Sequence, residues 1–66
     1  MTRRQQTAHA LERFGVVGAT GMDLIRWGAG VDYRKRISEL RRDGYNITAR
    51  WERKNGSRFK RYFLEE

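Results

Sequence analysis

Apolar residues recur along this chain with two periods, helical up to Leu40 and alternating from Tyr45 onward. Thr2 followed by Gln5 has the form of a capping box, in which the hydroxyl accepts a backbone N–H and the amide reaches back. Good helix formers follow through Phe14, and Ala8, Leu11 and Phe14 give that helix one apolar face. Gly15 is its natural stop. The segment from Val16 to Ala19 is too short for a strand pair of its own, although one residue could pair with a sheet edge. Thr20 then caps a second helix, with Asp23 favouring its positive end. Met22, Leu24, Ile25 and Trp27 cannot all face one side, and Ile25 and Trp27 are the expected core residues. Gly28-Ala29-Gly30 reads as a tight turn between helices. Asp32 is expected to cap a third helix, whose Tyr33, Ile37 and Leu40 form a narrow apolar stripe. Asp43 and Gly44 end it.

From here the period is two. Tyr45, Ile47, Ala49 and Trp51 share one face of a strand, and Asn46, Thr48, Arg50 and Glu52 the other. Asn55-Gly56 is a strong hairpin signal, because both residues tolerate positive φ. In the returning strand, Arg58 to Leu64, Tyr62 and Leu64 point one way and Phe59 and Phe63 the other. Either a bulge shifts the register or some aromatic surface is exposed. The pattern predicts an α+β fold, mainly α, with three helices followed by a two-stranded antiparallel hairpin in a single domain, 1–66.

A chain of 66 residues buries only about 60% of the surface its unfolded form exposes. Disulfides are excluded as reinforcement because there is no Cys, and a structural zinc site is nearly so with His9 the single histidine. No run approaches the roughly 18 apolar residues that span a bilayer, and the N-terminus lacks an apolar signal core. A soluble, cytoplasmic protein is the expectation, with no membrane partner. The start at Met1 favours a complete protein over an excised domain.

Charge alters the picture most. The formal net charge is +7 and the pI about 10.8, which points to a polyanion as partner. The excess is concentrated: residues 32–42 hold five cations against two acids, and residues 50–61 six against one. At about 100° per residue, Lys35, Ser38 and Arg42 lie opposite the apolar stripe of the third helix, with Arg34 and Arg41 flanking. That outward face suits insertion into the DNA major groove, although a charge run is often only a solvated surface. The hairpin tip presents Arg53, Lys54, Asn55 and Arg58, suited to backbone or minor-groove contacts. Charge there would equally keep an edge strand from aggregating. Arg3 and Arg4 are candidates for further phosphate contacts.

The order of elements and these charges resemble winged helix-turn-helix proteins of bacteriophage and prophage type. TGMDLI from Thr20 to Ile25 resembles the capped start of their second helix. RISELRRDG from Arg36 to Gly44 resembles the recognition helix and its exit, and NGSRFKRYFL from Asn55 to Leu64 the wing and return strand. The similarity runs from about Arg4 to Leu64. The turn from Gly28 to Asp32 departs from the family pattern, which tends to carry a Thr or Ser cap. The resemblance implies sequence-specific duplex DNA binding in phage or prophage regulation, as a transcriptional regulator, an excisionase-like factor, or a recognition part of replication or packaging machinery.

Two other classes compete with duplex DNA. RNA or single-strand binding would require exposed aromatics among the cations, and Trp51, Phe59, Tyr62 and Phe63 are the candidates, yet a small core needs most of them. A protein-interaction module, including a homodimer on palindromic DNA, would gain support from an exposed Phe63. Catalysis is not expected: no Cys is present, His9 has no evident partner, and Asp23, Asp32 and Asp43 have explanations at helix ends. The glycines at 28 and 30 are no phosphate cradle, since neither a preceding strand nor a following Lys-Ser/Thr is present. No cofactor, metal or small-molecule substrate is implied.

Overall fold

The computed structural model describes residues 2–65; Met1 and Glu66, the ends of the expected domain, lie outside the described residues. Helix α1 spans Arg3–Phe14 and opens on the expected capping box. Thr2 Oγ1 accepts the Gln5 N–H at 3.1 Å, and Gln5 Oε1 accepts the Thr2 N–H at 2.8 Å. Gly15 closes the helix at φ 52°, where its N–H donates to the Leu11 carbonyl. The buried face is wider than the sequence spacing suggests. It includes Thr7 and Ala10 beside Ala8 and Leu11, and the Thr7 hydroxyl is satisfied by donating to the Arg3 carbonyl at 2.7 Å.

One turn of 3₁₀ helix, Gly15–Val17, leads into strand β1, Ala19–Thr20. Helix α2, Gly21–Arg26, is followed by α3, Tyr33–Arg42, and by strands β2, Asn46–Lys54, and β3, Ser57–Glu65. The fold is α+β with three helices and a three-stranded antiparallel sheet of order β1-β3-β2. The expectation of two strands is therefore corrected. Ala19 pairs with Tyr62 and Thr20 with Arg61, because β3 offers a second edge once β2 has taken the first. Arg61 secures the approach by donating from Nη1 to the Gly18 carbonyl at 3.3 Å. Only glycine fits at Gly18: φ is +81°, and a Cβ would lie 2.5 Å from the Phe63 ring.

The hairpin register runs unbroken from Asn46↔Glu65 to Lys54↔Ser57, closing on Asn55 at φ 52° and Gly56 at φ 81°. No bulge exists, so the aromatics of β3 divide between two faces. Tyr62 enters the core, whereas Phe59 and Phe63 lie half-buried on the opposite face. Arg50 covers Phe63 at 4.8 Å from its centroid, and Arg61 lies 5.9 Å from that of Phe59.

The core joins Ala8, Ala10, Leu11, Leu24, Ile37, Leu40, Ile47 and Tyr62, with Ala19 and Ala29 filling the close approaches. The expected choice within α2 is overturned. Leu24 is fully buried, Ile25 is half-buried, and Trp27 remains 37% exposed. The reciprocal bonds between Thr20 and Asp23, at 3.2 and 3.0 Å, fix where the helix starts, and its packing on the other elements turns Leu24 inward. Trp27 lies beyond the last helical residue and packs instead against the rings of His9 and Phe14. Asp32 occupies the N-cap position of α3 but makes no capping hydrogen bond; its carboxylate faces Arg36 at 3.8 Å. On the core-side face of β2 only Ile47 is buried, while Ala49 and Trp51 are exposed and Tyr45 precedes the strand. Among the described residues no helix is long and apolar enough to cross a membrane.

Leu24→Ala is expected to lower unfolding stability by about 2–5 kcal/mol, the range for a fully buried leucine, and Ile25→Ala by less. Urea denaturation of both variants checks this ordering. A larger loss at Ile25 would contradict the assignment of the core.

Candidate nucleic-acid interface

Helix α3 is amphipathic in the expected sense. Ile37 and Leu40 are buried, Tyr33 is half-buried, and Lys35, Ser38 and Arg42 are exposed on the far side. Its cations divide into two groups according to what they touch. Arg36 is held by its own helix, with Nε 3.1 Å from Glu39 and Nη2 3.8 Å from Asp32. Arg41 is exposed at its tip, but its Nε donates to the Ile47 carbonyl at 3.0 Å and so ties the end of α3 to the start of β2. Among the described residues no ion pair or hydrogen bond engages the side chains of Lys35, Ser38 or Arg42. Both acids within this part of the chain, Asp32 and Glu39, are turned to Arg36, so the outward face carries positive charge without internal neutralisation.

The hairpin supplies the second cationic group. Arg53, Lys54 and Asn55 are exposed at its tip, and Arg58 stands just inside it on β3. Arg58 lies with its guanidinium carbon 4.8 Å from the Trp51 ring centroid, and Lys60 places Nζ 5.2 Å from the same ring. The register keeps Trp51 on the face it was expected to share with Ile47, and it adds Lys60, which sequence reasoning left out of the candidate site. Both belong to the exposed, basic part of the hairpin, because the core ends at Ile47 and Tyr62 and the strands continue past it.

Arg34 connects the two groups. It projects from the first turn of α3 into a cleft that Arg58 and Lys60 line from the hairpin. Beneath it, Tyr33 meets Tyr62 edge to face, with centroids 6.2 Å apart and rings at 75°. Burial raises the Tyr62 phenol above its ordinary value, and Tyr33 adds to the shift, while Arg34 and Arg41 oppose it. The phenol is therefore neutral in the folded protein at physiological pH, and the positive charge of the neighbouring arginines is not cancelled.

Arg3 and Arg4 stand apart from this surface in their present contacts. Arg3 donates to the Gly28 carbonyl at 3.5 Å, against the turn before α3, and Arg4 forms an ion pair with Asp43 at 3.3 Å. Both remain exposed. Among the described residues no three His, Asp or Glu side chains converge on a metal-sized site. The arrangement offers exposed cationic donors, a serine hydroxyl and one partly exposed indole, a set suited to phosphates and bases. No protein-family model, curated protein or solved structure matches this chain.

Because Arg41 bonds the fold and Arg42 does not, Arg41→Ala is expected to lower stability by about 1 kcal/mol, the size of one hydrogen bond. Arg42→Ala should stay within about 0.5 kcal/mol of the parent, as exposed substitutions do. Thermal melts of the two variants distinguish these residues, and equal losses would show that the Arg41–Ile47 contact carries no stability.

Proposed function

We propose that the protein binds duplex DNA as a winged helix-turn-helix, with α3 as recognition helix and the β2–β3 hairpin as wing. The observation that carries this reading is the outward face of α3, where Lys35, Ser38 and Arg42 are exposed and unengaged while the nearby acids pair with Arg36. A third short strand on the far edge of β3 is compatible with that architecture and leaves the hairpin free. In the major groove, Lys35 and Arg42 would donate to guanine O6 and N7, and Ser38 would read either base class. Arg34 and Arg41 flank these contacts, and Arg53, Lys54, Asn55 and Arg58 would grip the backbone or minor groove from the wing. Arg3 and Arg4 reach phosphate only by leaving Gly28 and Asp43, so their contribution is secondary. The biological setting follows from the resemblance alone: a phage or prophage regulatory or excisionase-like factor, without enzymatic activity, acting in the cytoplasm and if its site is palindromic as a homodimer.

One observation favours a second reading. Trp51 is 57% exposed amid cations, as a single-strand or RNA stacking platform would be. Phe63 gives less to a protein-docking reading, since Arg50 and the Gly18 segment cover it.

Fluorescence anisotropy with a labelled duplex and an RNA hairpin, at 50 and 200 mM salt, tests the proposal. Engagement of about six to ten phosphates would reduce duplex affinity by about 10³–10⁵ between the two conditions. Lys35→Ala or Arg42→Ala should flatten sequence preference, whereas Lys54→Ala should weaken all duplexes alike. Tighter RNA than duplex binding, or no duplex binding at low salt, would contradict the reading.

A further inference from the structure

Between α2, the first turn of α3 and the core-side face of the hairpin lies a cleft of about 570 Å³. That volume falls within the about 300–1,000 Å³ typical of sites for a group the size of a small ligand. One side is the Trp51 indole with Arg58 and Lys60 against it; the other is Arg34, and Met22 and Ile25 add apolar wall. No carboxylate lines the cleft among the described residues. The indole is no part of the core: its cross-strand partner is Lys60, and it stays 57% exposed on the outer half of the hairpin. An exposed indole with two cations over its ring, a third cation across the cleft and no acid nearby complements a planar, neutral base joined to a negatively charged phosphate.

We propose that this cleft holds one unpaired nucleotide of a DNA strand, its base stacked on Trp51 and its phosphate among Arg34, Arg58 and Lys60. The proposal rests on the duplex reading above and sharpens it: the preferred ligand is a duplex that continues into a single strand. A base inside a duplex is stacked on both faces and offers only its edges, so it cannot meet an indole face to face. An unpaired base beside the duplex can, while α3 remains in the groove.

Trp27→Phe leaves Trp51 as the single indole, since the chain holds two tryptophans. With this variant, affinity and tryptophan emission are measured for a blunt duplex, the same duplex with a short thymidine overhang, the single strand alone and free thymidine monophosphate. The overhang duplex should bind about tenfold tighter than the blunt one, the scale of one stacked base, and quench Trp51. Trp51→Ala should bring the overhang duplex down to the affinity of the blunt one, and Trp51→Phe should keep part of the difference, with far-UV circular dichroism confirming the fold of each. Equal affinities with unchanged emission would overturn the proposal and leave the duplex reading intact. Single-strand binding with quenching but no blunt-duplex binding would support the cleft and overturn the duplex reading instead. Free nucleotide binding as tightly as the overhang duplex would overturn the assignment to a DNA strand.

Discussion

The burial of Tyr62 beneath the first turn of α3 is the contact on which the rest of this structure depends. Tyr62 sits on the central strand, opposite Ala19 on one side and Ala49 on the other, so it joins all three strands. Its ring meets Tyr33 edge to face, and that contact couples the hairpin to the helix. Gly21 makes room for the same tyrosine: a Cβ there would lie 2.5 Å from the Tyr33 ring. The two aromatic rings thus join the first turn of α3 to the hairpin, as the Arg41–Ile47 bond joins its last, and Arg34 is held on the same side as Arg58 and Lys60.

A chain this short has little core to distribute, and the consequence is visible on both faces of the sheet. On the core side, burial stops at Ile47, Tyr62 and the half-buried Leu64, so the outer half of the hairpin projects with Trp51 uncovered. On the opposite side, aromatic rings are shielded by arginine stems and by one crossing segment, with Arg61 bonded to Glu52 at 2.8 Å to hold the arrangement. Cations therefore serve two ends. Arg36, Arg41, Arg50 and Arg61 complete the fold, and among the described residues Lys35, Arg42, Arg53 and Lys54 have no ion pair or hydrogen bond of their own.

Local signals in the sequence translated well into structure. Both Thr caps, the Gly15 stop, the α3 stripe and the Asn55-Gly56 turn were legible, because each depends on residues within one turn of one another. What failed depended on distant partners. Nothing near Ala19 and Thr20 shows that β3 has a free edge, so the sequence allowed one residue to pair with the sheet there but did not predict a third strand. Leu24, Ile25 and Trp27 have similar claims to the core by hydrophobicity, and the docking of α2 on the other elements decides that Leu24 enters it. For the interface, exposure of Lys35, Ser38 and Arg42 followed from helical period. The engagement of Arg41 by Ile47, of Arg4 by Asp43 and of Arg3 by Gly28 did not, since those contacts cross between elements.

In the proposed mode of DNA binding, α3 and the hairpin act as one surface, joined through Arg34. Backbone amide NMR shifts recorded while a duplex is added test it most directly. Changes are expected at Lys35, Ser38 and Arg42 and again from Arg53 to Arg58, with Glu12 and Arg13 on the exposed side of α1 unmoved. Changes confined to the opposite side of the sheet, around Arg50 and Phe63, or none at all, would contradict it.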